Sequence, residues 1–181
     1  MTALRAVHRF AIAAVFIGWA GPCAAAGGPQ PGPDAGRTVT VTGTGVDLLN
    51  TAIVHSKEPT PTGIIQRSTE TVELSGSLKG RVLYHVTSVF DFVAGTLVNT
   101  GDQVYSGTIA GSVPVLIHDD RFRFEVNLVT GAESGEVYLV NPIAGPKVRC
   151  ELDVVGTGRD SEGNPTFAYS GECTFRGDDA S

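Results

Sequence analysis

The sequence predicts an all-β protein, a single closed antiparallel barrel of about eight strands, and three observations carry that expectation. Segments of apolar/polar alternation recur between Arg37 and Gly177. Between Arg81 and Phe92 the even positions are Val82, Tyr84, Val86, Ser88, Phe90 and Phe92, and the odd ones include Arg81, His85, Thr87 and Asp91. Period-2 alternation of this kind belongs to a strand with one buried face. Composition points the same way: Gly, Thr and Val are abundant, there is one Met and one Trp, and no stretch after residue 36 reads as a helix. The last two cysteines, Cys150 and Cys173, define a hairpin register that places apolar residues opposite one another. Six or more such segments joined by short turns must close or stack to remove their edges, so a β-sandwich is the alternative architecture.

The first 26 residues read as a secretory signal. Arg5 and Arg9 precede an apolar run from Phe10 to Ala20, which ends in the small residues Cys23-Ala24-Ala25-Ala26. The apolar run is about half of the roughly 20 residues needed to span a bilayer. Ala20-Gly21-Pro22 matches poorly what precedes a lipidated cysteine, so Cys23 is read as part of the removed segment. Residues 27–36, GGPQPGPDAG, are too rich in Gly and Pro to pack and form a leader. Residues 37–177 then make one domain by size, and 178–181 a short tail. Loss of Arg5 and Arg9 takes the formal charge from -6 to -8, which argues against nucleic acid or an anionic membrane as partner. The expected compartment is secreted or periplasmic, with no stable membrane insertion after the signal is removed.

Taken in order, Arg37 to Gly45 is a first strand, with Val39 and Val41 alternating against threonines and Gly43 and Gly45 closing it. Val46 to Val54 is apolar but irregular, and His55 to Thr62, with Pro59 and Pro61, reads as an exposed loop. Thr62 to Gly111 is a meander. Val72, Leu74, Gly76 and Leu78 share one face of its first strand, Ser77-Leu78-Lys79-Gly80 supplies the turn, and the resulting register sets Leu74 opposite Val82 and Val72 opposite Tyr84. Val113 to Ile117 is a short strand whose Pro114 suits an edge or a strand start. His118-Asp119-Asp120 turns the chain and is read as a solvated corner in preference to a metal site. Arg121 to Val129 alternates strongly, with Phe122, Phe124, Val126 and Leu128 inward. Gly131 to Gly135 is a loop, Glu136 to Val140 a short strand, and Asn141-Pro142 with Gly145-Pro146 another break.

The closing hairpin is the best determined element. Pairing Cys150 with Cys173 sets Val148 opposite Phe175, Leu152 opposite Gly171, Val154 opposite Tyr169 and Gly156 opposite Phe167, every pair apolar or Gly. The same register centres the turn within RDSEGN, where the turn-forming residues lie. A cysteine pair in an exported chain, without CxxC spacing, is expected to be a structural disulfide.

No motif names a reaction. GxSxG, HExxH, P-loop and dinucleotide fingerprints are absent, the histidines are scattered, and no metal or cofactor is expected. The informative anomaly is polar residues in the apolar phase. Gln66, Ser68 and Glu70 precede Val72 on its face, and Tyr84 and Ser88 interrupt Val82, Val86 and Phe90. The expected register puts Glu70 opposite Val86 and diagonal to Tyr84, within hydrogen-bonding reach. An acid and a phenol in an apolar wall can hold one raised and one lowered proton affinity, as general acid or base work requires. Glu70 and Tyr84 are therefore the candidate catalytic pair, with Ser68 and Tyr169 as orienting groups and Tyr105, Tyr138, Tyr169 and Phe90 as candidate ligand-contacting walls. The plain alternative is a strand end that reaches water at the barrel mouth.

TVTVTGTG at the start, the RSTETVELSGSLKGRVLYHV hairpin, GTLVNTGDQVYSGTI and the cysteine-stapled closing hairpin together resemble the allene oxide cyclase-like barrel group, which includes dirigent proteins; a lipocalin-like barrel also fits. The resemblance implies an eight-stranded antiparallel barrel, often a homo-oligomer, whose apolar lumen takes a hydrophobic small molecule. Three functions follow as expectations: a binding barrel for an apolar or aromatic molecule, a cofactor-free isomerase or cyclase of the same shape, or a structural or inhibitory protein with a filled core.

Overall fold

The computed structural model describes residues 36–177; the signal and the tail read from the sequence lie outside the described residues. Ten strands form: β1 (Thr38–Asp47), β2 (Ile53–Pro59), β3 (Gly63–Gly76), β4 (Leu78–Asp91), β5 (Thr96–Ile109), β6 (Val115–Asn127), β7 (Glu133–Leu139), β8 (Asn141–Ala144), β9 (Val148–Arg159) and β10 (Pro165–Phe175). Among the described residues the one helical element is a single 3-10 turn, Leu49–Thr51. Each strand pairs antiparallel with its neighbour in the order β1-β10-β9-β7-β6-β5-β4-β3, and β3 pairs back onto β1, so eight strands close into a barrel. Closure removes the edges that a meander would otherwise expose.

Two short strands lie outside the ring. β2 pairs with the first half of β3, and β1 takes the same edge of its second half. The stretch read as a loop from His55 to Thr62 is thus corrected to strand as far as Pro59. β1 ends at Asp47, which leaves the early part of β3 with unpaired backbone, and the chain folds back to satisfy it. Pro59 sits at the strand's last position, where no ladder donor is missed. β8 covers part of β6 in the same way.

β6 runs through the corner expected at His118-Asp119-Asp120. A shift in its pairing with β5 absorbs the extra residues there. Asp119 is fully buried and accepts hydrogen bonds from the Arg121 and Tyr138 backbone N–H groups and from Gln103 Nε2, at 2.9, 3.1 and 2.9 Å. It holds a bulge together, which a solvated corner would not require. β7 likewise starts earlier than expected, at Glu133.

The β3–β4 register also differs from expectation. Val72 faces Val82, Leu74 faces Gly80 and Glu70 faces Tyr84 directly, a shift of two residues from the predicted pairing. The cause is the corner at Gly76-Ser77. Ser75 and Gly76 pair with β1 while Leu78 and Lys79 pair with β5, so the hairpin splays where a four-residue turn was expected.

One end of the barrel is filled. Val41, Leu78, Tyr105, Ile109, Ile117, Val148 and Cys150 are all fully buried there, each contributing roughly 1.5–3 kcal/mol for the larger aliphatic side chains. The β9–β10 hairpin has the expected register from Cys150 opposite Cys173 to Gly156 opposite Phe167, and the two cysteines are joined with their Cα atoms 4.1 Å apart. Its turn is held by Asp160, whose Oδ1 accepts from the Glu162 and Asn164 N–H groups. Thiol titration of the unfolded, unreduced domain should find Cys150 and Cys173 silent until reductant is added; two reactive thiols before reduction would contradict the bridge.

Candidate functional site

The opposite half of the barrel is not filled. A cavity of about 90 Å³ lies there, walled by apolar side chains including Val72, Leu74, Val82, Leu152 and Val154. Why this half stays open is legible in three glycines. The Tyr169, Phe167 and Phe124 rings lie against the backbone at Gly43, Gly45 and Gly135, so closely that a Cβ at any of these would fall 2.1–2.2 Å from the ring or hydroxyl. Large rings are laid flat on the wall over missing side chains, the pairing by which aromatic residues cover glycines in sheets. Space that they would otherwise cross is left free.

At the mouth the wall turns polar. Tyr84, on β4, points its hydroxyl between two carboxyls, 2.8 Å from Glu70 Oε2 on β3 and 3.0 Å from Asp47 Oδ2 at the end of β1. Ser68, almost fully buried, donates to Glu70 Oε1 at 2.5 Å. Phe122 braces the Tyr84 ring edge-on, with centroids 5.9 Å apart. Asn99, Gln103 and Glu133 complete the polar part of the lining, and among the described residues no Lys, Arg or His lines the cavity.

One phenolic proton serves two carboxyls, and the proton affinities decide how. Burial, then the charge of Glu70 and more weakly that of Glu133, pushes the Asp47 carboxyl from 3.8 up to about 7, against a lowering by its hydrogen bond with Tyr84. Burial first, and then the two carboxylates, drive the Tyr84 phenol far above its usual range. Burial also raises Glu133, and Arg159 opposes that rise. The Tyr84 hydroxyl is the donor toward both carboxyls, and Asp47, raised to about 7, is the carboxyl that holds its proton nearest to neutrality. The result is a connected hydrogen-bond network centred on the Tyr84 hydroxyl, with Asp47 and Glu70 as its two acceptors and Ser68 donating to Glu70 at its far end. A lowered affinity at the phenol, one form of the sequence expectation, is corrected: two neighbouring carboxylates can only disfavour a phenolate. Tyr84 acts as a donor, and Asp47 is the group poised near neutrality.

Two acceptor atoms in this region are buried without a hydrogen-bond partner, Asp47 Oδ1 and Asn99 Oδ1. Buried polar atoms are nearly always paired. Their position on the cavity wall makes them places where an incoming donor gains a full hydrogen bond.

The sequence-derived residues separate into groups. Glu70, Tyr84 and Ser68 come together as a connected network. Tyr169 lines the cavity, but its hydroxyl is spent on structure: it accepts from the Leu78 N–H at 2.7 Å and donates to the Ser75 carbonyl at 3.0 Å, pinning the β3–β4 corner. Tyr105 belongs to the filled end, its hydroxyl bonded to the Thr108 carbonyl at 2.7 Å. Tyr138 is on the outer face, because Val137 and Leu139 take the inward positions of β7; it donates to Glu136 and lies beneath Arg121. Phe90 packs on Phe92 beyond the cavity. Tyr105, Tyr138 and Phe90 are therefore not among the residues that line the cavity. His55 and His85 both reach Thr69 on the outer face, and no group of His, Cys, Asp or Glu among the described residues is arranged to hold a metal ion.

Asp47, Asn99, Gln103 and Glu133 are site residues that sequence reasoning missed. The signal for Asp47 was present, since it continues the odd-numbered phase of Val39, Val41, Gly43 and Gly45. Glu133 is likewise in phase with Val137 and Leu139.

Comparison with protein-family models, with curated proteins and with solved structures returns no match for this chain.

Proposed function

We propose that this is an exported binding barrel that takes a small apolar or aromatic molecule into its half-open lumen, with the polar end of the ligand held at the Asp47–Tyr84–Glu70 network. The observation that carries the reading is one apolar cavity meeting one polar network, with two buried acceptors still unfilled. Binding sites have this composition: mostly hydrophobic walls and a few convergent polar groups. The cavity is smaller than the 300–1,000 Å³ typical of drug-sized ligands, which limits the occupant to about one ring. Cys150 and Cys173 at bonding distance fit an oxidising compartment, and with the signal-like first 26 residues they support secretion or a periplasmic location. Membership of the allene oxide cyclase-like group is part of the same proposal, supported by strand rhythm and by the eight-stranded ring.

Titration with toluene, followed by methyl NMR, tests this directly. Shifts should concentrate on Val72, Val82, Leu152 and Val154, and a V154F variant, which fills the lumen, should abolish them. Shifts spread over the outer face, or none at all, would refute lumen binding.

A second reading, a cofactor-free isomerase or cyclase, is favoured by the Asp47 carboxyl near pH 7, because a general acid or base works best with its pKa near the operating pH. If that is the function, Y84F should lower turnover by about 10²-fold or more while the same ligand still binds.

A further inference from the structure

Resting on the lumen-binding reading, we propose that the preferred occupant is a small primary amine carrying a single apolar ring, bound as its ammonium form at the Asp47 end of the cavity. Four features converge on that chemistry. Every ionisable side chain lining the cavity is an acid or a phenol: Asp47, Glu133, Tyr84 and Tyr169, with Glu70 directly behind Tyr84. Both unfilled polar atoms, Asp47 Oδ1 and Asn99 Oδ1, are acceptors, so the ligand must bring donors. An ammonium carries three, a hydroxyl one and a carboxylate none. Phe124 and Phe167, held flat on the wall over Gly135 and Gly45, offer ring faces of the kind that attract a cation. Finally, a cavity of about 90 Å³ has room for one ring and excludes long acyl chains, whose carboxylate heads the surrounding acids would also repel.

Asp47 couples this selection to pH. The groups that face it are Glu70 from β3, Tyr84 from β4 and Glu133 from β7, with Arg159 on β9 acting on Glu133. The lining side chains from β5, β6 and β10 are neutral or aromatic. Among the described residues none of its direct neighbours is a cation, so in the empty site the carboxyl holds its proton up to about pH 7. A bound ammonium favours the ionised form, and binding therefore expels a proton below that pH. Affinity should rise as the pH is raised through 7.

Calorimetric titration of the protein with benzylamine, benzyl alcohol, toluene and benzoate at pH 6 and pH 8 separates the possibilities. Benzylamine is expected to bind tightest at pH 8, by about tenfold or more over the other three, and to weaken several-fold at pH 6. D47N should remove the amine preference, so that benzylamine binds no tighter than toluene or benzyl alcohol to the variant. If toluene, benzyl alcohol or benzoate binds as well as benzylamine, or if D47N leaves the preference intact, the amine inference fails and the lumen-binding reading stands. If none of the four binds, both fail.

Discussion

A single methyl group at Gly43 is expected to destabilise the barrel by about 3 kcal/mol or more, because no direction is open to it. Gly43 lies on the closing seam, opposite Gly76 of β3 on one side and Tyr169 of β10 on the other. A Cβ there would stand 2.1 Å from the Ser75 carbonyl oxygen and 2.2 Å from the Tyr169 hydroxyl. Neither obstacle can swing aside cheaply. The first is backbone within the ladder, and the second is the hydroxyl that satisfies the buried Leu78 N–H. Displacing Tyr169 leaves that donor unpaired, at roughly 1–3 kcal/mol, and parting the seam forfeits β1–β3 hydrogen bonds as well. Urea unfolding of G43A beside Y169F checks the argument. Y169F removes the hydroxyl alone and should cost about 1–3 kcal/mol, less than G43A, since the seam can still close. A G43A midpoint equal to that of the parent would mean that the ring does not close where β1 meets β3.

How much of this was legible in the sequence follows from which interactions are local. Alternation from Val82 to Phe92 and the Cys150–Cys173 register were readable because a strand's period is a property of the strand itself and the cysteine pair supplies one fixed point. The closed ring followed from edge removal. What could not be read was decided by partners distant in the chain. Ser77 looks like part of a four-residue turn until β1 and β5 draw the two strands apart, and Ile53–Pro59 looks like a loop until β3 offers it a free edge. In the site, Glu70, Tyr84 and Ser68 were found because they break an apolar phase. Asp47 was missed because Gly43 and Gly45 read as the end of a strand. Their role is different: they make room for the Tyr169 and Phe167 rings, and the strand runs on for two more residues.

Asp47→Asn should make the protein more stable above pH 7, by about 2–4 kcal/mol, and change little at pH 4. The sign follows from the direction of the shift. In the folded state burial and neighbouring charge raise the carboxyl from 3.8 to about 7, so the native state holds its proton more tightly than the unfolded chain. Below about pH 4 both states are protonated and the group contributes nothing. Between about pH 4 and 7 the unfolded chain ionises first, and stability falls by about 1.4 kcal/mol per pH unit until the native carboxyl ionises too. The integrated loss is at most about 4 kcal/mol, and relaxation of a half-buried mouth reduces it. Asparagine keeps the shape and an acceptor for Tyr84 without the ionisation. Urea unfolding of parent and D47N at pH 4 and pH 8 gives the comparison, since the other titrating groups are common to both. A gain confined to high pH would show that the barrel carries Asp47 at a cost to its own fold. Residues kept at such a cost are characteristic of functional sites, where stability is traded for activity. A D47N protein less stable than the parent at pH 8 would instead make the carboxylate a net structural contact of the β1 terminus, and the case for an ammonium partner would lose its energetic basis.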